Sequence, residues 1–196
     1  GSMNSGMAMT PVFSPAPAVM ARLTRLQYHN TVIDLFGDPV PSVQLEPDTN
    51  PYLFYSIGAT TTDVSEYGVE LYGNAAESIV DAVFADLARR DELIGCVPAQ
   101  VDDPCVRSFL STFGRRVFRR PFTAEEIERW LSVVRETADG AIHRGLRNAL
   151  VGLLQSPHFL YRVELGETDP DDSNRRRYTG HEMASRLSFF LVNTMP

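Results

Sequence analysis

Three places in the chain repeat one local pattern: an apolar residue, then Thr, then two residues, then Glu or Gln, then another apolar residue. They are Leu23-Thr24-Arg25-Leu26-Gln27-Tyr28, Phe122-Thr123-Ala124-Glu125-Glu126-Ile127 and Tyr178-Thr179-Gly180-His181-Glu182-Met183. In each, the Thr hydroxyl can accept from the third helical N–H while Glu or Gln reaches back to the cap, and the flanking apolar pair closes a hydrophobic staple. The pattern predicts three helix starts. Asp63 with Glu66 offers a fourth, weaker one, because Thr62 is a poor staple residue.

Apolar spacing extends these starts into helices. After Thr24 come Tyr28, Val32, Leu35 and Phe36 on one face, with a stop at Gly37 before Asp38-Pro39. The stretch 39–61 holds Pro39, Pro41, Pro47 and Pro51 and no helical period, so it reads as a long loop with a short extended piece at Tyr52-Leu53-Phe54-Tyr55. Loops of this length are functional, disordered or packed by their own side chains, and the row of large residues favours packing. A second helix over 64–90 carries Tyr67, Leu71, Ala75, Ile79, Ala82, Val83 and Leu87 in one stripe. Val106, Phe109, Leu110, Phe113 and Val117 mark a third, ended by Pro121. Ile127, Trp130, Leu131 and Val134 mark the next, stopped by Asp139-Gly140. A fifth carries Ile142, Leu146, Ala149, Leu150, Leu153 and Leu154, and Ser156-Pro157 kinks or ends it. Residues 166–177, acidic and then basic, read as a solvated connector before a last helix with Leu187, Phe190 and Leu191. No segment alternates with period two between turn signals. The expected class is all-α, an irregular bundle of about six helices with a Pro-rich loop after the first.

The expected organisation is an expression scar (Gly1-Ser2-Met3) and flexible segment over 1–20, an N-terminal helical region with the long loop over 21–95, and a central helical region over 96–165. A connector and the start of a further helical domain, continuing beyond Pro196, occupy 166–196.

A net charge of −7 argues against whole-surface affinity for nucleic acid or anionic lipid. No run of about 18 apolar residues suits a membrane span. All 18 basic residues are Arg. A GC-rich coding sequence explains that, rather than selection for guanidinium chemistry. Cys96 and Cys105 flank a loop with Pro98 and Pro104. They read as a disulfide staple in an oxidising compartment or, alternatively, as two partly buried thiols. Two Cys without a nearby His pair do not complete a zinc site, so no metal is expected.

Arg115-Arg116-Val117-Phe118-Arg119-Arg120 is the densest charged cluster. On a continuous helix, Arg115 with Arg119 and Arg116 with Arg120 would form two positive ridges near its C-terminus. These groups can pair with Glu125, Glu126 and Glu128 and bind last-turn carbonyls, or serve as an anion site for a partner domain. Gln155, Ser156 and His158 place polar groups inside an apolar run. They either satisfy backbone freed by the kink or, for His158, ligate a metal or heme. Asn30 and Asp34, one turn apart, can join Arg22 or Arg25 in a polar network. No Cys-x-x-Cys-His, His-Glu-x-x-His, phosphate loop, dinucleotide fingerprint or Gly-x-Ser-x-Gly elbow occurs, so the sequence contains no recognisable catalytic centre, and no cofactor is expected within it.

Three ordered stretches resemble a known family. Arg22 to Gly37 looks like the opening motif of the large exported planctomycete-type proteins made of consecutive domains of unknown function, often associated with c-type cytochrome domains. Phe113 to Glu126 is similar to their second signature. Gly145 to Leu150, Leu154 to Glu164 and Ala184 to Leu191 resemble the start of their third. The resemblance implies a bacterial, extracytoplasmic protein whose partners are its own C-terminal domains and a cytochrome-type protein. It brings no established reaction. The expected function is a helical scaffold or interaction region of a larger exported protein, part of a redox-associated assembly. The alternative is half of an enzyme active site completed by residues C-terminal to this chain.

Overall fold

Thr24, Thr123 and Thr179 sit in extended backbone and accept from the N–H groups of Gln27, Glu126 and Glu182, whose side chains reach back to the cap N–H. All three capping boxes close as the spacing predicts. The computed structural model describes residues 20–50, 53–61 and 63–196, so the N-terminal segment and Tyr52 lie outside the described residues. In chain order the elements are β1 (Met20–Arg22), α1 (Arg25–Phe36), α2 (Tyr55–Gly58), α3 (Glu66–Ala85) and α4 (Leu87–Ile94). There follow α5 (Pro104–Phe118), α6 (Ala124–Thr137), α7 (Ile142–Gln155) and α8 (Pro157–Leu160). The rest is β2 (Tyr161–Val163), β3 (Glu167–Asp169), β4 (Asp172–Arg177) and α9 (Gly180–Leu191).

Helix α7 is central because its apolar stripe packs against two neighbours at once. Leu146, Ala149, Leu150, Leu153 and Leu154 are buried as α7 packs against α3 and α6. Each fully buried Leu contributes about 1.5–3 kcal/mol relative to exposure. The approach to α6 depends on Gly145, where a Cβ would overlap the Val134 carbonyl oxygen. From α1, Tyr28 enters the core between the rings of Tyr72 and Phe159, with centroids 5.7 and 5.5 Å away. Its hydroxyl is buried without a partner, and burial raises its pKa.

The fold is mainly helical but not purely so. β1 pairs antiparallel with β2, Ala21 opposite Arg162, and β3 pairs antiparallel with β4 through an irregular register. β1, β2 and β3 have three residues each, too few for a period to stand out, and the six residues of β4 are all polar, so period-two reading missed them. The segment 166–177, expected to be a plain connector, is therefore a hairpin, with Arg177 and Glu167 paired at 2.9 Å. The helix count also exceeds about six. Asp86 accepts from Ala88 and Arg89 N–H at 3.1 Å, ending α3 and starting α4 inside the span expected to be one helix. Leu87, just past this break, leaves the expected stripe and is exposed, and so are Tyr67 in the first turn of α3 and Ala82. Ser65, not Asp63, caps α3, and Ser156 ends α7 while capping α8.

The Pro-rich loop is held by polar anchors rather than by its aromatics. Leu53, Phe54 and Tyr55 are exposed, and the expected extended piece begins α2 at Tyr55. Arg22, only 2% exposed, donates to Glu46 at 2.9 Å and to the Pro47 carbonyl at 3.0 Å. Asp48 accepts from the Arg25 N–H, and Leu45 is buried. Arg89 donates to the carbonyls of Phe36 and Pro39, fixing α4 to the end of α1. Cys96 and Cys105 lie at disulfide distance with Cα atoms 6.1 Å apart, joining the end of α4 to the start of α5.

Candidate functional site

The Arg cluster divides because α5 ends at Phe118. Arg119 takes the left-handed conformation (φ 57°), so the two ridges expected on a continuous helix do not form. The turn drives the Arg119 guanidinium inward. It donates to the carbonyls of His158 at 2.7 Å and Tyr161 at 2.6 Å, and more weakly to Val117 and Phe159 at 3.3 Å. Burial, with the nearby Arg162 charge, lowers its pKa to about 10. Arg120 instead grips Glu126 through two bonds of 2.8 and 2.7 Å. That hydrogen-bonded pairing holds the Glu126 carboxyl at about 2. Arg115 is exposed, while Arg116 reaches the Asp34 carbonyl on α1.

The other sequence candidates scatter. Asn30 donates to the Asn193 carbonyl at 3.2 Å, and Gln155 donates back to Val151 in its own helix. Asp34 and Asn30 do not join Arg22 or Arg25, which turn to the Pro-rich loop instead. His158 lies with its ring 4.8 Å from Phe118, and desolvation, then the Arg120 charge, lowers its pKa. Among the described residues, no group of three or more His, Cys, Asp or Glu is placed to hold a metal ion.

Arg119, Arg120 and His158 do come together along one cleft of about 410 Å³, between α5, α8, β2 and α9. Its wall also includes Arg162, Glu164 and Ser185, which sequence reasoning did not single out, and Glu182, which it read only as a cap partner. Glu164 is 5% exposed, and its Oε2 accepts from Arg186 at 2.6 Å. Its Oε1 is buried without a partner, as is Nε of Arg162. Burial lowers the Arg162 pKa, and the neighbouring Glu164 charge opposes that shift. Glu182 is engaged by the N–H groups of Leu165, Gly166 and Thr179. Burial pulls its carboxyl up, but those donors outweigh it and hold the group below the ordinary carboxylate range. The available signal was the alternation of Tyr161 and Val163 with Arg162 and Glu164, which places two charged residues on the same side of a short extended segment.

Chemically, the cleft is lined by the Arg162 and Glu164 side chains beside an aromatic–imidazole rim of Phe118 and His158, while the unpartnered Arg162 Nε and Glu164 Oε1 are themselves buried. No curated protein and no solved structure matches the chain. Two family matches do: residues 21–85 match PSD3, protein of unknown function (DUF1587), and residues 105–164 match PSD5, protein of unknown function (DUF1595). The chain therefore carries two consecutive domains of unknown function.

Proposed function

We propose that the chain is a helical scaffold and interaction region of a larger extracytoplasmic bacterial protein. Its own further domains dock on α9, and a cytochrome-type protein is a partner of the assembly. The carrying observation is the face of α9. Ser185 and Phe189 turn inward, whereas Met183, Leu187, Phe190 and Leu191, at helical spacing, are exposed by 41, 50, 82 and 71%. An apolar stripe of this kind is unfavourable in water and ordinarily marks a surface that something covers. Two consecutive family matches support a multi-domain context. Arg116 and Asn30 disperse into separate backbone contacts, which supports a scaffold, whereas Arg120 and His158 share one cleft, the feature that favours half of an enzyme site. The Cys96–Cys105 pair suits an oxidising compartment, and among the described residues no helix is long and apolar enough to cross a membrane.

The test is thiol labelling of Phe190→Cys in the full-length natural protein and in the present chain, with Arg175→Cys as an exposed control. Slower labelling of the Phe190 position alone, by about tenfold in the longer protein, is expected. Equal rates in both proteins would overturn the proposal.

A further inference from the structure

In an antiparallel ladder, bonded and unbonded residue pairs alternate, so register fixes which way each main-chain group points. Met20 lies opposite Val163, Ala21 opposite Arg162 and Arg22 opposite Tyr161. Leu23 donates across the ladder to the Leu160 carbonyl at 2.8 Å, whereas Arg22 donates away from it, to the Ala59 carbonyl at 3.1 Å. The alternation then makes Ala21 and Arg162 the bonded pair. It turns the Tyr161 carbonyl, and both the N–H and C=O of Val163, to the outer edge of β2.

That edge is occupied at its two ends and open between them. The Tyr161 carbonyl accepts from Arg119 at 2.6 Å, and the Leu165 N–H donates to Glu182 at 2.8 Å. Arg119, Val163 and Glu182 all line the cleft, so the stretch between the two occupied positions faces it. Among the described residues, nothing bonds the N–H or C=O of Val163, and that residue is half-buried rather than buried. An outward N–H and C=O on one extended residue are the unit that an added strand pairs with. From Tyr161 to Leu165 is about 13 Å at strand rise, room for an extended segment of three residues.

Charge selects among such segments. The chain carries a net charge of −7, yet around the cleft the guanidinium groups of Arg119, Arg120, Arg162 and Arg186 stand against the carboxylates of Glu126, Glu164 and Glu182. The local balance is positive, which favours an acidic partner. Arg119 sits at the Tyr161 end and Glu182 at the Leu165 end. Arg119 has its donors engaged by carbonyls, so it acts on a partner through its charge and not through a bond. A segment antiparallel to β2, the more stable pairing, runs from the Leu165 end and finishes beside Arg119.

We propose that β2 accepts a further strand at Val163: an extended acidic segment of a separate partner polypeptide, antiparallel to β2, with its acidic residue toward Arg119. Its central residue exchanges two main-chain hydrogen bonds with Val163. This surface is separate from the outward stripe of α9, and the proposal does not depend on docking there.

The experiment titrates the isotope-labelled chain with the capped peptide acetyl-Ala-Val-Ala-Val-Asp-amide and follows amide shifts and hydrogen exchange. Binding is expected in the millimolar range, with exchange of the Val163 amide slowed about tenfold near saturation. Two control peptides carry the changes, so no protein variant has to fold. N-methylation of the three central residues removes their donors and should weaken binding about tenfold or more. Replacing Asp by Lys should weaken it about threefold or more at low salt. Absence of binding at millimolar concentrations overturns the proposal, as do unchanged exchange at Val163 and equal affinity of either control peptide. A Val163 amide already protected in the full-length natural protein without peptide would give the edge to that protein's own later domains and overturn the separate partner.

Discussion

Arg119 occupies a position where helices ordinarily place Gly, and replacing it with Gly separates backbone conformation from side-chain bonding. At φ 57° a non-Gly residue carries about 1–2 kcal/mol of left-handed strain, which Arg119→Gly relieves. The same change removes the guanidinium from two short bonds, 2.7 and 2.6 Å to the His158 and Tyr161 carbonyls. Hydrogen bonds to a charged group contribute about 1.5–3 kcal/mol each, while the two contacts at 3.3 Å add little. The balance is a net loss of about 1–5 kcal/mol. For a chain of this size that lowers Tm by about 2–20 °C. Arg119→Met keeps the strain and loses the bonds, so it should fall below the Gly variant by a further 1 kcal/mol or so. Urea unfolding followed by circular dichroism reads both. A Gly variant as stable as the parent, or more stable, would refute the view that Arg119 is retained for its inward carbonyl contacts.

Breaking the staple with Cys96→Ser should cost about 2.5 kcal/mol, the loop-closure value for a short ring, seen as a lower urea midpoint that reductant no longer changes. Thiol titration of the denatured, unreduced protein should find no free thiol, and two would defeat the staple. Glu126, held at about 2 by Arg120, contributes stability that is fully present above the ordinary carboxylate value and lost as pH falls through about 2. Glu126→Gln should therefore be less stable than the parent near neutral pH by about 1–2 kcal/mol, allowing for solvent screening, with the gap closing in acid. A gap independent of pH would exclude the ion pair as its cause. Gly145→Ala should destabilise by about 2 kcal/mol or more, because the new methyl meets a main-chain oxygen that cannot move aside, whereas Gly180→Ala, with open space around it, should be nearly neutral.

The helical part of the fold was legible where a local rule determines structure. Thr24, Thr123 and Thr179 interact with residues three positions away, so the sequence carries both halves of each capping box. The apolar stripe of α7 is equally local. What escaped depends on distant partners. Nothing near Met20 announces that it will lie opposite Val163, and nothing near Pro47 announces that its carbonyl will meet Arg22. The break at Asp86 is a local cap signal hidden inside an uninterrupted apolar period. At the candidate site, Arg119, Arg120 and His158 were visible as chemistry, but their roles differ because α5 ends one residue before Arg119. Arg162 and Glu164 were not singled out, since charged residues after an apolar run look like surface until the packing of α9 closes over them.

The β1–β2 ladder has a consequence for how such chains can be rearranged. The strand that opens the first matched segment is bonded to the strand that closes the second, so the two annealed edges act as a clasp around everything between them. Exchanging, duplicating or excising either segment alone would leave a raw edge and a halved hydrophobic interior, so recombination is expected to carry the pair as one cassette.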